Sequence, residues 1–234
     1  MLNLKNRRFR GGVVLLSGGM DSAVTASVAK IECENLFFLH IDYGQRTEKK
    51  ERECFLNLCR HFEVVNSLIL KLNHFKIFGG SSLVDRNMEV EKGNLNRSDI
   101  PTSYVPFRNG NFLSIATSVA EVLSYDAIYI GAVSEDSSGY PDCKPEFYEA
   151  FKKAIELGTK PETHIEIITP VINLRKSEIV RLGVELKTPF EYTWSCYKNE
   201  DVACGECDSC LLRLKAFKEA GVKDPLPYKV EGGF

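Results

Sequence analysis

The segment Ser17-Gly18-Gly19-Met20-Asp21-Ser22 constrains this chain more than any other. It follows the apolar run Gly12-Val13-Val14-Leu15-Leu16 and precedes Ala23-Val24-Thr25-Ala26-Ser27-Val28-Ala29. That order reads as strand, tight glycine turn, helix start. Such a turn aims backbone N–H groups, two hydroxyls and the positive end of a helix dipole at one spot, where a phosphate is stabilised. Two adjacent glycines let the backbone approach an anion with no Cβ in the way, and Asp21 and Ser22 are candidate helix caps. The segment lacks the Gly-Lys-Ser/Thr of a Walker A loop and the spaced glycines of a dinucleotide fingerprint. Over these six residues alone, a ligand-free βα turn capped by Ser and Asp would read the same way.

Strand and helix patterns alternate along the rest of the chain. Residues 36–41 read as a buried strand, 47–62 as an amphipathic helix with Cys54, Phe55, Leu58 and Phe62 on one face, and 64–70 as a strand. Residues 71–110 are polar and irregular, a length that marks a functional or mobile loop. Helical spacing returns at 112–123, a strand at 127–132, a helix at 145–157 with Pro145 in its first turn, a strand at 165–168 and a helix at 176–186. The alternation predicts an α/β, Rossmann-like fold: a parallel sheet with helices on both faces. Ligands of such sheets bind beyond the carboxyl ends of the strands. The polar segments 17–22, 42–46, 133–143 and 169–176 all follow strand ends and are expected to converge there. Residues 1–190 are expected to form this α/β domain, with 191–234 a small C-terminal region packed on it.

With 234 residues, 44% of them apolar, the chain can bury a sizeable core. A formal net charge of −2 gives no global basic field, so direct nucleic-acid binding is not expected. No apolar run is long enough for a bilayer, and the basic N-terminus is not followed by a signal-peptide core. A cytoplasmic protein with reduced thiols is the expectation, so its eight cysteines need a reason other than disulfides. Cys204-Gly205-Glu206-Cys207-Asp208-Ser209-Cys210 supplies a Cys-x2-Cys-x2-Cys run, with Cys196 eight residues upstream. Four thiolates so spaced suit one tetrahedral Zn²⁺. An iron–sulfur cluster is the rival, although the ferredoxin run continues to a fourth Cys and Pro that are missing here. With no open ligand position, the zinc would close a loop and dock the C-terminal helix, not activate water. Cys33, Cys54 and Cys59 fall in helix or helix-end contexts and read as packed small hydrophobes; Cys143 is read likewise, and His40 as a satisfied strand histidine. Trp194 is expected to pack on the metal loop.

Ser-Gly-Gly-x-Asp-Ser resembles the pyrophosphate loop of the ATP pyrophosphatase (PP-loop) superfamily. Further segments narrow the resemblance: Asp42-Tyr43-Gly44-Gln45-Arg46, Val105-Pro106-Phe107-Arg108-Asn109, Ser138-Gly139-Tyr140-Pro141-Asp142-Cys143, and Thr193-Trp194-Ser195-Cys196 with the later cysteines. Together they closely resemble the 7-cyano-7-deazaguanine synthase family, from about Val13 to Tyr228. One departure is Phe107, where many relatives have Gly. The resemblance implies a ligase that uses ATP, with Mg²⁺, to convert 7-carboxy-7-deazaguanine and ammonia into the nitrile 7-cyano-7-deazaguanine, for queuosine or archaeosine in tRNA. It also suggests a homodimer. It implies ATP contacts from Leu16, Ser17, Gly18, Gly19, Met20, Asp21, Ser22, Ala23, Val24, Thr25 and Ala26. Asp21, Lys176 and Arg108 carry the catalytic expectation. Lys176 matches the superfamily's later phosphate-binding lysine, and Arg108 suits a bidentate pair with phosphate or carboxylate. Tyr43, Gln45, Arg46, Arg108, Tyr140 and Asp142 are the substrate-binding candidates, Tyr140 by stacking and Asp142 by accepting from a guanine-like edge. Cys196, Cys204, Cys207 and Cys210 are the metal ligands. Two other readings stand beside this one: a related adenylating enzyme that stops at the amide, and a non-catalytic zinc-containing tRNA-binding protein.

Overall fold

In a computed structural model, residues 9–94, 99–134 and 140–230 are described here. Among them the strands are β1 (Phe9–Leu15), β2 (Cys33–Asp42), β3 (Ser67–Lys71), β4 (Ala127–Ile130) and β5 (Glu166–Ile168). The helices are α1 (Met20–Glu32), α2 (Glu48–His61), α3 (His74–Phe78), α4 (Arg108–Leu123), α5 (Pro145–Gly158), α6 (Lys176–Glu185) and α7 (Asp208–Ala220). The strands form one sheet in the order β3-β2-β1-β4-β5, and every pairing is parallel. This is the α/β class expected from the alternating pattern. The strand order reverses direction between β1 and β4, which creates the crevice where ligands of open α/β sheets bind.

Alternation within the strands divides the core. Val14, Phe38 and Tyr129 point to the side covered by α1 and α2, where they meet Ala26, Phe55 and Leu58. Their neighbours Val13, Leu39 and Ile128 point the other way, onto Leu113 and Ala116 of α4 and Tyr148 and Ile155 of α5. Because both faces are covered, these strands read as continuous apolar runs, as parallel sheets do. A third cluster joins Met20 and Val24 of α1 to Ile179 and Val180 of α6 and to Ala216 and Phe217 of α7. The C-terminal helix is thus packed on the same body as the sheet.

Several local expectations are corrected. Strand β2 begins at Cys33, the C-cap of α1, three residues before the expected start of that strand at 36. The region 71–110 contains a short helix, α3, and α4 begins at Arg108, four residues before its apolar repeat. The N-cap of α1 is Gly19, and no side chain caps that end. Asp21 and Ser22 lie inside the first turn instead, which leaves the N-terminal amides open to a ligand.

Candidate active site

The loop after β1 continues the sheet for one more residue. Leu16 N–H donates to Leu39 O (2.9 Å), and the ring Nδ1 of buried His40 donates to Leu16 O (2.9 Å). The chain then turns at Gly18, whose φ is +87°. A Cβ there would lie 2.8 Å from the carbonyl oxygen of Glu51 on α2, so both conformation and space require glycine. Gly19 N–H donates to Ser17 Oγ (3.2 Å), and Ser22 Oγ donates to Gly19 O (3.0 Å) while lying 3.0 Å from Ser17 Oγ. These bonds hold both hydroxyls at the start of α1. From the other side of the switch point, Gly131 lets the first turn of α1 sit against β4: a Cβ there would be 2.8 Å from Ser22 N.

Lys176 is the first residue of α6, and its Nζ lies 2.7 Å from Asp21 Oδ2. The second carboxylate oxygen, Asp21 Oδ1, is buried and has no hydrogen-bond partner among the described residues. A cation and a carboxylate with spare bonding capacity therefore face the loop.

Across the cleft stands Arg108, the first residue of α4. It follows Phe107, whose φ of +54° is the left-handed region. A residue other than glycine there costs about 1 kcal/mol. Arg108 Nη1 donates to Tyr43 Oη (3.2 Å), and the guanidinium lies over the rings of Tyr43 (5.4 Å) and Phe112 (5.8 Å). Burial opposes its charge, but Tyr43 and Asp142 more than offset that and push its pKa up. Its Nε has no partner among the described residues, so one edge of the fork is left for an incoming oxygen. Tyr140 faces the same space, its hydroxyl 2.8 Å from Ser103 Oγ and its ring 5.4 Å from that of Tyr104.

The structure brings Leu16, Ser17, Gly19, Met20, Asp21, Ser22, Tyr43, Arg108, Tyr140 and Lys176 to one cleft of two adjoining lobes. It puts other candidates to different use. Ala23, Val24, Thr25 and Ala26 are wholly buried along α1. Gln45 is buried and turned inward: its carbonyl oxygen accepts from Tyr43 N (2.8 Å) and its amide donates to Glu51 (3.0 Å). Arg46 clamps the carbonyls of Ser82, Asp85 and Met88 away from the cleft. Asp142 accepts from Asn109 N (2.9 Å) and so fixes the start of α4 behind Arg108. Ser138 and Gly139 lie outside the described residues.

The C-terminal region supplies a wall that the motifs did not announce. Ser195, Tyr197 and Ser209 line both lobes of the cleft. They are held there by the cysteines. The Sγ atoms of Cys196, Cys204, Cys207 and Cys210 lie within 4.8 Å of one another, all buried. Cys204 and Cys210 are 3.8 Å apart. A tetrahedron with metal–sulfur bonds of about 2.3 Å has edges of about 3.8 Å, so the set fits a single four-coordinate ion. The N–H groups of Lys198, Asn199 and Cys204 all point at Cys196 Sγ (3.3–3.4 Å). Hydrogen bonds from Cys207, Cys210 and these amides hold the Cys196 thiol far below its ordinary range, while Cys207, facing that charge, is pushed up to about 12. Trp194 packs among the sulfurs, and its main-chain N–H donates to Gly18 O (2.8 Å), which ties this region to the phosphate loop. No helix among the described residues is long and apolar enough to cross a membrane.

Residues 11–221 match the family model described as Queuosine biosynthesis protein QueC. The 7-cyano-7-deazaguanine synthase of Chlorobium chlorochromatii is 55% identical over 217 residues, covering 93% of this chain and 95% of that protein. The synthase of Chloroherpeton thalassium is 54% identical over 222 residues, covering 95% and 98%.

Proposed function

The chain belongs to the family of queuosine biosynthesis protein QueC, and from that premise we propose that it is an ATP-dependent carbon–nitrogen ligase making 7-cyano-7-deazaguanine from 7-carboxy-7-deazaguanine and ammonia. A carboxylate is a poor electrophile, and transfer of AMP to it supplies a good leaving group. Ammonia then gives the amide. A second activation removes the amide oxygen, and the nitrile forms.

What supports this reading above all is that one cleft holds both kinds of machinery. On one side are the Ser17–Ser22 turn, the open start of α1 and Lys176, suited to the polyphosphate of ATP. On the other are Arg108, with a free guanidinium edge, and Tyr43 and Tyr140, suited to a flat heterocyclic acid. Lys176 and the α1 amides stabilise the charge that develops on departing pyrophosphate. Arg108 orients the acid toward the α-phosphate. Asp21 Oδ1, buried with no partner among the described residues, is the oxygen that would hold a Mg²⁺ accompanying ATP; that ion would offset phosphate charge.

Zinc at Cys196, Cys204, Cys207 and Cys210 is structural in this reading, because four thiolates leave no open position. Residues 191–234 then act as a knot that carries one wall of the cleft, packed on the ATP-binding domain of residues 1–190. The protein is taken to work as a cytoplasmic homodimer without direct contact to nucleic acid.

The test is to incubate purified protein with ATP, Mg²⁺, ammonia and 7-carboxy-7-deazaguanine, and to read the products by mass spectrometry. Nitrile and AMP are expected. Amide alone would assign a related adenylating enzyme, and no ATP turnover would overturn both.

A further inference from the structure

Glu51 is the carboxylate that the scheme above leaves idle, and it stands in the cleft. It lies in the first turn of α2, directly against the phosphate loop: its carbonyl oxygen is what excludes a Cβ at Gly18. Its side chain lines the lobe that also contains Ser17, Tyr43 and Arg108. Both oxygens are held by neutral donors. Oε1 accepts from Thr47 Oγ1 (2.7 Å) and Oε2 from Gln45 Nε2 (3.0 Å). The Gln45 amide cannot turn over without losing its bond from Tyr43 N–H, so Glu51 is presented as an acceptor, and its oxygens are held by Thr47 and Gln45 rather than by a cation of the described residues.

The titratable and charged groups facing it are engaged with other residues, apart from the Nε edge of Arg108. His40 on β2 gives Nδ1 to Leu16 O and sets Nε2 3.2 Å from Asp42. Arg108 on α4 donates to Tyr43. Lys50, on the same helix, pairs with Glu53 and lies over Trp194. The C-terminal wall contributes Trp194, Ser195, Cys196, Tyr197 and Ser209 to this lobe and no cationic side chain. The other carboxylate of the lobe, Asp21, is bound to Lys176. Burial raises the pKa of Glu51 against the opposing pull of Thr47 and His40. Carboxylates tuned in this direction serve as proton acceptors near neutral pH.

We propose that Glu51 binds the incoming ammonium ion and takes a proton from it beside the activated carboxyl group. The inference rests on the ligase reading. Ammonium has no lone pair to attack with. One of its N–H bonds breaks and the proton goes to a Glu51 oxygen. The lone pair so released forms the C–N bond to the acyl carbon, AMP departs with the electrons of the cleaved C–O bond, and the second N–H proton lost in forming the neutral amide goes to the departing AMP phosphate.

The experiment compares metal-loaded wild-type protein with Glu51→Gln and Glu51→Asp. In Glu51→Gln, acid-dependent exchange of pyrophosphate into ATP is expected to stay within about twofold, because activation precedes the amine. Nitrile formation from ammonium at pH 7 is expected to fall about 10²–10⁴-fold. The variant's rate should then climb about tenfold per pH unit as free ammonia accumulates. Hydroxylamine, unprotonated at neutral pH, should give hydroxamate at wild-type rates. Glu51→Asp should recover part of the ammonium reaction. Wild-type nitrile formation by Glu51→Gln at pH 7 would overturn the proposal. So would a loss shared by pyrophosphate exchange and unrelieved by pH or hydroxylamine, which would assign a structural role. If the wild type itself makes no nitrile, the ligase reading is what has failed.

Discussion

The phosphate-loop wall of the cleft hangs from the sheet, whereas the wall opposite hangs from four sulfur atoms. Ser17–Ser22 is held between β1, β4 and α1, with Val13, Val14, Ala23 and Ile128 fully buried around it. Apolar burial on both faces of the sheet fixes its position. Residues 193–207 carry little regular secondary structure. What fixes them is the sulfur cluster and a buried arginine. Arg213 on α7 pairs with Asp224 (2.8 and 3.0 Å) and also donates to Thr193 Oγ1 (2.8 Å) and Ser195 Oγ (3.3 Å). A buried ion pair adds little net stability, but it fixes where Ser195 stands. One wall is therefore self-supporting, and the other hangs on a cysteine cluster with the spacing of a metal site. Since both line the same cleft, losing the metal should reach the chemistry without touching a group that takes part in it.

The widest separation between the walls should come from Cys207→Ser. Removing one thiolate from a buried charged set costs about 3–5 kcal/mol, which lowers Tm by about 6–20 °C in a chain of this size. Zinc measured by elemental analysis should fall from one per chain to well below that. Full zinc occupancy in the variant would break the ligand assignment, and an iron–sulfur absorption band in the wild type would break the choice of metal. Asp21→Asn probes the other wall. Turnover should drop about 10²–10³-fold, while melting shows a cost below about 1 kcal/mol, because the pair with Lys176 is partly open to water. A large loss of stability there would mean that the loop leans on its ion pair after all. The smallest effect is expected at Arg46→Gln, which removes donors from three loop carbonyls. A cost of about 1–2 kcal/mol, or about 2–8 °C in Tm, should accompany a nearly unchanged kcat/KM for the acid. A selective rise in KM would instead return Arg46 to the substrate.

The self-supporting wall was also the legible one. Its signals are local: an apolar run, two glycines and a helical repeat lie within twenty residues, and the rules for parallel sheets place their junction at the cleft. The cysteine spacing was legible for the same reason, because ligand loops are short. What sequence reasoning missed depends on distant packing. Ser195, Tyr197 and Ser209 reach the cleft only because the sulfur knot docks against Gly18, and no periodicity encodes that contact. Gln45 and Arg46 carry polar groups of the right kind beside a strand end. The fold spends them on Glu51 and on the 82–88 loop instead, a choice decided by neighbours far along the chain. Glu51 stands three and four residues before Cys54 and Phe55, on the same face of α2 as the apolar stripe, so spacing turns it inward without saying what it meets there. Only its position under Gly18 marks it out. The short helix α3 has too few residues to show a repeat, and Cys33 sits where α1 passes into β2 with no breaker between them.

Trp194 is the sole tryptophan of the chain. Its indole donates to Asn199 O (3.0 Å), lies under Lys50 and lines the cleft beside the loop. Indole emission follows the polarity and motion of its surroundings, so the molecule carries a built-in optical gauge. An unlabelled sample can report nucleotide arrival at one end of that ring and sulfur-cluster opening at the other, with ATP and a chelator as separate triggers.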